Sequence, residues 1–250
     1  MGTALPPALP VAEGLALGEK RFADLAQLYA ALHGDSAPRP GFSDRIVPGR
    51  GPEHAALFLL GEQPGDREDR AGQAFVGPAG RLLEQCMRDA ALDPAALFLT
   101  NAVKRFKFEP RGKRRIHQRP NAGDVAHYRW WLGQEIRIVQ PRVVVALGVT
   151  ALHALIGARL PLKNVRGRVR GWDERTLLAT IHPSYLLRLR PDGGYEEERA
   201  AFVLDLRRGP GRRPSSADHQ SAGRIWDAKP QPRSALSSAR AMRPAASPMP

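Results

Sequence analysis

The sequence predicts an α/β protein built on a parallel sheet with helices on both faces, and three observations carry that expectation. Short apolar runs alternate with helical patterns along most of the chain, which is the signature of consecutive β-α units. The run Val143 to Gly148, VVVALG, is continuous and β-branched, as a strand covered on both faces should be. At 250 residues and 42% hydrophobic, the chain can bury one good-sized core.

Taken in order, the first 18 residues are small, Pro-containing and weakly patterned, and read as a flexible arm before a domain over residues 19–208. Phe22, Leu25, Leu28 and Leu32 recur at helical spacing, with Gly34 placed to end the helix. The Pro/Gly-rich run from Asp35 to Glu53 reads as an extended loop. Leu57 to Leu60 is the first strand, followed by a long polar loop, GDREDRAGQAFVGPAG, of a length that is usually functional. Leu82, Leu83, Cys86, Met87 and Ala90 form one face of the next helix, and Leu97 to Thr100 the second strand.

Val125, Tyr128, Leu132, Ile136 and Val139 predict a third helix closed by Pro141, before the strand at 143–148 and a short helix through Leu152, Leu155 and Ile156. Gly157 to Asp173 reads as a hairpin or loop, Leu177 to Thr180 as a fourth strand, and Tyr195 to Leu206 as the last helix. Seven prolines and seven serines among residues 209–250 cannot support a core, so this stretch reads as a disordered basic tail.

A formal charge of +13 and the 31 basic against 23 acidic groups of residues 1–208 point to a polyanionic partner such as nucleic acid. One cysteine, Cys86, excludes an intramolecular disulfide framework and any all-cysteine metal site. No apolar run is long enough to span a membrane and no secretory signal is visible, so a cytoplasmic protein acting as a monomer is the expectation. GEQPGD lacks the lysine and the glycine spacing of a phosphate-binding Walker loop, which argues against nucleotide hydrolysis.

Three of the predicted strands end in polar residues: Glu62 and Gln63 after the first, Asn101 after the second, His182 and Ser184 after the fourth. In a parallel sheet those ends lie side by side, where ligands bind. Alone, Glu62 reads as a solvated carboxylate, Asn101 as a cap and His182 as a structural histidine; together the three favour a site.

The segments GEQPGDREDRAGQAFVGPAGRLL, LFLTNAVK, KRRIHQ, PRVVVALG and ATIHPSYLL, in this order, resemble the uracil-DNA glycosylase superfamily, and within it the type X branch. The resemblance implies a three-layer α/β/α sandwich with a four-stranded parallel sheet, and an enzyme that flips uracil out of DNA, preferring single strands. It implies that Asn101 reads the base, that Phe75 stacks on it, and that Gln63, Pro64 and Gly65 line the pocket. His182 would donate to uracil O2, and Ser184 would hold a flanking phosphate. Phe75 has an equally good reading as a loop anchor packed on the core.

The segment from Lys104 to Arg119 carries a net +7 and includes Lys104, Arg111, Lys113, Arg114 and Arg115, which read as contacts to the DNA backbone. His117 lies among these cations, which discourages its protonation; by itself it reads as one more phosphate contact. The type X resemblance instead implies that it bonds covalently to deoxyribose C1′ after uracil leaves, with Glu62 below the sugar. Relatives in this branch and in family 4 carry four cysteines for an iron–sulfur cluster; this chain lacks them, so none is expected and no metal site, with Tyr128, Trp130 and Trp131 filling the space. Two alternatives stand beside covalent trapping: a glycosylase that turns over by hydrolysis, with Glu62 activating water, and a non-catalytic DNA-binding protein that keeps the fold.

Overall fold

The computed structural model describes residues 8–15, 20–34, 40–190 and 193–209, so the tail expected beyond 209 lies outside the described residues. The chain enters a helix, α1 (Leu25–Gly34), then β1 (Leu57–Gly61), α2 (Asp66–Ala71), α3 (Pro78–Asp89) and β2 (Phe98–Asn101). A hairpin of β3 (Phe108–Arg111) and β4 (Arg114–His117) follows, then α4 (Ala122–Val139), β5 (Val143–Leu147) and α5 (Val149–Ile156). The chain continues through β6 (Val169–Trp172), β7 (Arg175–Thr180), α6 (Pro183–Leu186) and α7 (Tyr195–Arg208).

The main sheet has the order β2-β1-β5-β7-β6. Its first four strands are parallel, in the register Phe58↔Phe98, Phe58↔Val144 and Val144↔Leu177, and these are the four strands expected. β6 adds a fifth, antiparallel to β7, in the stretch expected as a hairpin or loop. Its sequence, VRGW, is too short and too polar for its pairing to show in advance.

Strand alternation divides the core into two layers, completing the α/β/α sandwich. Phe58, Leu60, Val144, Ala146, Leu177 and Ala179 face α1, α4 and α5. Leu57, Leu59, Val143, Val145, Leu147 and Leu178 face α3 and α7. Every residue of β1 and β5 is buried, as the unbroken apolar runs require of strands covered twice.

The flexible arm expected over residues 1–18 does not hold for residues 8–15. Leu9 N–H donates to Gly171 O at 2.9 Å, Ala12 N–H to Leu155 O at 2.8 Å, and Ala12 and Leu15 are buried. Leu15 settles against Gly133 of α4, where a Cβ would lie 2.4 Å from the Leu15 carbonyl oxygen. Composition suggested a loose segment because its anchors are backbone bonds to partners more than a hundred residues away. Nearby, Phe22 stacks on Trp131 and meets Trp130 edge-on, with centroids 6.2 and 6.0 Å apart.

Candidate active site

β2 and β5 flank β1 on opposite sides, so the connections leaving the carboxyl ends of β1 and β5 diverge and open a crevice there. The resulting cleft encloses about 970 Å³ and is lined by the residues that follow β1, β2, β5 and β7. Glu62 and Thr150 meet across the crevice, the Thr150 hydroxyl donating to Glu62 Oε2. On the other carboxylate oxygen, His117 Nε2 lies 3.6 Å from Oε1, while Arg119 Nε is 3.8 Å from Oε2.

Asn101 and Phe75 converge on Gly61. A Cβ there would lie 2.4 Å from Asn101 Oδ1 and 2.7 Å from Phe75 Cζ, so only glycine lets the carboxamide and the ring lie across the end of β1. Phe75 has φ of 58°, a left-handed conformation unusual for an aromatic residue, and Gly80 of α3 admits its backbone, since a Cβ there would fall 2.0 Å from Phe75 O. Phe75 packs in the α3-side core, as a loop anchor would, and also lines the cleft.

His182 caps the start of α6. Its Nδ1 lies 3.2 Å from the Ser184 N–H, which can only donate, so Nδ1 is the acceptor and the ring proton belongs on Nε2. The Ser184 hydroxyl, 2.8 Å from the same nitrogen, accepts from Arg188 at 3.2 Å and donates to the ring. Burial, then the neighbouring Arg188 and His117, push the imidazole pKa down to about 4. A neutral histidine with a fixed N–H donor therefore lines the cleft, an arrangement suited to a developing oxyanion. Ser184 thus acts on His182: its hydroxyl and its backbone N–H, either of which was expected to hold a phosphate, both meet the ring nitrogen.

Gln63 and Gly65 line the cleft, whereas Pro64 is buried and does not. The Gln63 side chain is committed to the hairpin: its Nε2 donates to Lys107 O at 3.3 Å and Gln118 O at 3.1 Å, and its Oε1 accepts from Lys107 N–H at 3.2 Å. It pins the root of the β3–β4 hairpin, and with it His117, beside Glu62.

The basic segment is corrected most. Lys104 cannot meet DNA: it is wholly buried and paired with Glu135 at 2.6 Å. Burial pushes its ammonium below the ordinary lysine range, against the pull of that carboxylate. Arg115 is spent on Asp66 and Asp69, at 2.5 and 2.6 Å, with its guanidinium over the rings of Phe106 and Phe108. Lys107 pairs with Asp124 at 2.6 Å. Arg111, Lys113 and Arg114 are exposed on the hairpin and do not line the cleft.

Sequence reasoning missed Thr150 and Arg188 and counted Arg119 only within the basic segment; all three line the cleft. Thr150 was within reach, because it follows the β5 carboxyl end as Glu62 follows that of β1. It also missed the rim, where Val149, Tyr185 and Leu187 are exposed large apolar side chains. Of these, Tyr185 offers an aromatic face of the kind on which unpaired bases stack.

The fold and the cleft define an α/β protein with a polar-lined cleft at the carboxyl ends of a parallel sheet. The family model described as the uracil DNA glycosylase superfamily matches residues 48–207, and the chain belongs to that superfamily. It is 35% identical over 147 residues to a type-4 uracil-DNA glycosylase of Thermotoga maritima, covering 58% of this chain and 73% of that protein. It is 33% identical over 192 residues to the type-4 enzyme of Pyrobaculum aerophilum, covering 72% and 93%.

Proposed function

We propose that the protein is a uracil-DNA glycosylase that becomes bonded to the DNA it cleaves. The observation that carries this reading is the placement of His117 Nε2 3.6 Å from Glu62 Oε1, in the cleft that Asn101 and His182 also line. Uracil extruded from DNA would lie against Phe75. The Asn101 carboxamide would donate to O4 and accept from N3–H, a pattern that cytosine inverts. As the glycosidic bond breaks, its electron pair leaves with the base, and the His182 Nε2–H stabilises the charge at O2. Glu62 faces the cationic sugar and takes the Nε2 proton of His117, and the freed lone pair forms the bond to C1′.

Exposed Arg111, Lys113, Arg114 and Arg119 would follow the phosphates, and the apolar rim favours single-stranded substrate. An iron–sulfur cluster has no place in this scheme. It needs several thiolates, whereas this chain has only Cys86, fully buried against the sheet with its thiol pKa raised by burial. The donor set does not fit, and the reading that Tyr128, Trp130 and Trp131 take the cluster's space draws on the packing of Phe22 against both tryptophans.

Incubation with uracil-containing single-stranded DNA should give a heat-resistant, retarded band on a denaturing gel. His117→Ala should abolish it. The second reading, hydrolytic turnover, draws on the 3.6 Å gap between His117 and Glu62, which is wider than a direct hydrogen bond and leaves the carboxylate able to hold water. Free abasic DNA from the wild type with no retarded band would establish that reading. Binding indifferent to uracil, with the base left in place, would leave only a DNA-binding protein.

A further inference from the structure

Beneath the cleft, on the side of the sheet that faces α1 and α4, lies a buried polar network. Lys104 Nζ donates to Glu135 Oε2 at 2.6 Å, to the Thr100 hydroxyl at 2.7 Å and to the Asn101 carbonyl at 2.7 Å, so each of its three protons has an acceptor. Glu135, fully buried, also accepts from the Thr100 hydroxyl at 3.1 Å and the Tyr29 hydroxyl at 2.6 Å. Tyr29 in turn accepts from Gly49 N–H at 2.9 Å. Burial raises the Tyr29 hydroxyl well above its ordinary pKa and the Glu135 charge adds to this, so it stays a donor.

An ion pair taken wholly out of water gives little net stability over apolar side chains of the same volume. Its position suggests what else it does. β2 is an edge strand, so its outward backbone groups need partners from outside the sheet. At Leu99 the partner is Arg50, with backbone bonds of 2.8 Å in both directions. Two residues further on, the carbonyl of Asn101 is met by the Lys104 ammonium. That peptide carries the side chain confined against Gly61 and Phe75, and a small rotation of its backbone would swing the carboxamide away from its hydrogen-bonding geometry.

We infer that the Lys104–Glu135 pair is a positioning device: it fixes the backbone of Asn101, while Thr100 and Tyr29 hold the carboxylate that holds the lysine. The inference rests on the reading of Asn101 as the residue that reads the base. Lys104 and Glu135 touch no substrate; they act through Asn101.

The test uses the full chain carrying Lys104→Met and Glu135→Leu together, which removes both charges and strands neither. Three quantities are measured: the melting temperature, the side-chain amide NMR signals of Asn101, assigned by their loss in Asn101→Ala, and single-turnover uracil release from single-stranded DNA. The melting temperature should stay near that of wild type while the Asn101 signals shift and release slows roughly tenfold or more. Binding to a uracil-free oligonucleotide should be unchanged. Unmoved Asn101 signals in the folded double variant overturn the inference, whatever the protein does to DNA. A wild type that releases no uracil overturns the proposed activity instead, and the amide signals still decide the positioning role. Should the double variant not fold, Glu135→Gln must shift the same signals, and their constancy there overturns the inference.

Discussion

The two histidines of the cleft are held in opposite ways. His182 is half-buried at the N-cap of α6, with its tautomer fixed by Ser184 and its charge suppressed by desolvation. His117 has half its side-chain surface exposed, at the end of a hairpin strand, with Glu62 Oε1 3.6 Å from its Nε2. A residue that must present one proton to a developing negative charge benefits from having no alternatives. In the proposed reaction the residue that bonds to carbon needs reach, and a half-exposed position at the end of a hairpin strand supplies it.

The sharpest way to break this contrast is to remove each histidine. His117→Ala should eliminate the covalent band while uracil release continues, whereas His182→Ala should slow release by about 10²- to 10³-fold, with the band falling in step. Quantifying free uracil and the retarded band in the same reactions separates the two roles, and a His182→Ala protein that releases uracil normally would show the assignment to be wrong. Glu62→Gln comes next: adduct formation should slow by about 10²-fold, while preference for uracil-containing over plain DNA persists in a filter-binding comparison.

Arg115→Ala should have a smaller effect. Loss of the pairs to Asp66 and Asp69 loosens the hairpin, and a misplaced His117 should lower the adduct-forming rate by roughly tenfold with release barely changed. The last effect is read on stability rather than on rate. His182 titrates near 4 in the folded chain against an ordinary value of 6.5, so between those values the unfolded chain binds the extra proton. Stability should fall as pH drops from 6.5 towards 4 and level off below, by at most ~3 kcal/mol from this group. Urea unfolding across that range should show a flatter profile for His182→Gln than for wild type.

Glu62, Asn101 and His182 were legible in the sequence because a strand that ends abruptly in a polar residue marks a sheet edge without needing its partners. The basic segment was not legible in the same way. Lys104, Lys107 and Arg115 look identical to Arg111, Lys113 and Arg114 until Glu135, Asp124, Asp66 and Asp69 arrive from elsewhere in the chain. Half of an apparent DNA-binding surface is therefore internal wiring. The hairpin itself was hidden because FEPR and RRIH show no apolar alternation, and β6 because its pairing depends on β7 already being in place.

The clamp made by Gln63 has an implication for transplantation. The hairpin bearing His117 is fastened by one glutamine on the neighbouring strand end and by two aspartates of α2, all within a stretch of seven residues, 63–69. Part of its attachment is thus encoded locally, and the rest comes from Asp124 of α4, which pairs with Lys107, and from Gly41 O, which accepts from Phe108 N–H. A related scaffold with the same strand end could receive the hairpin as a cassette, provided those three residues and Asp124 travel with it.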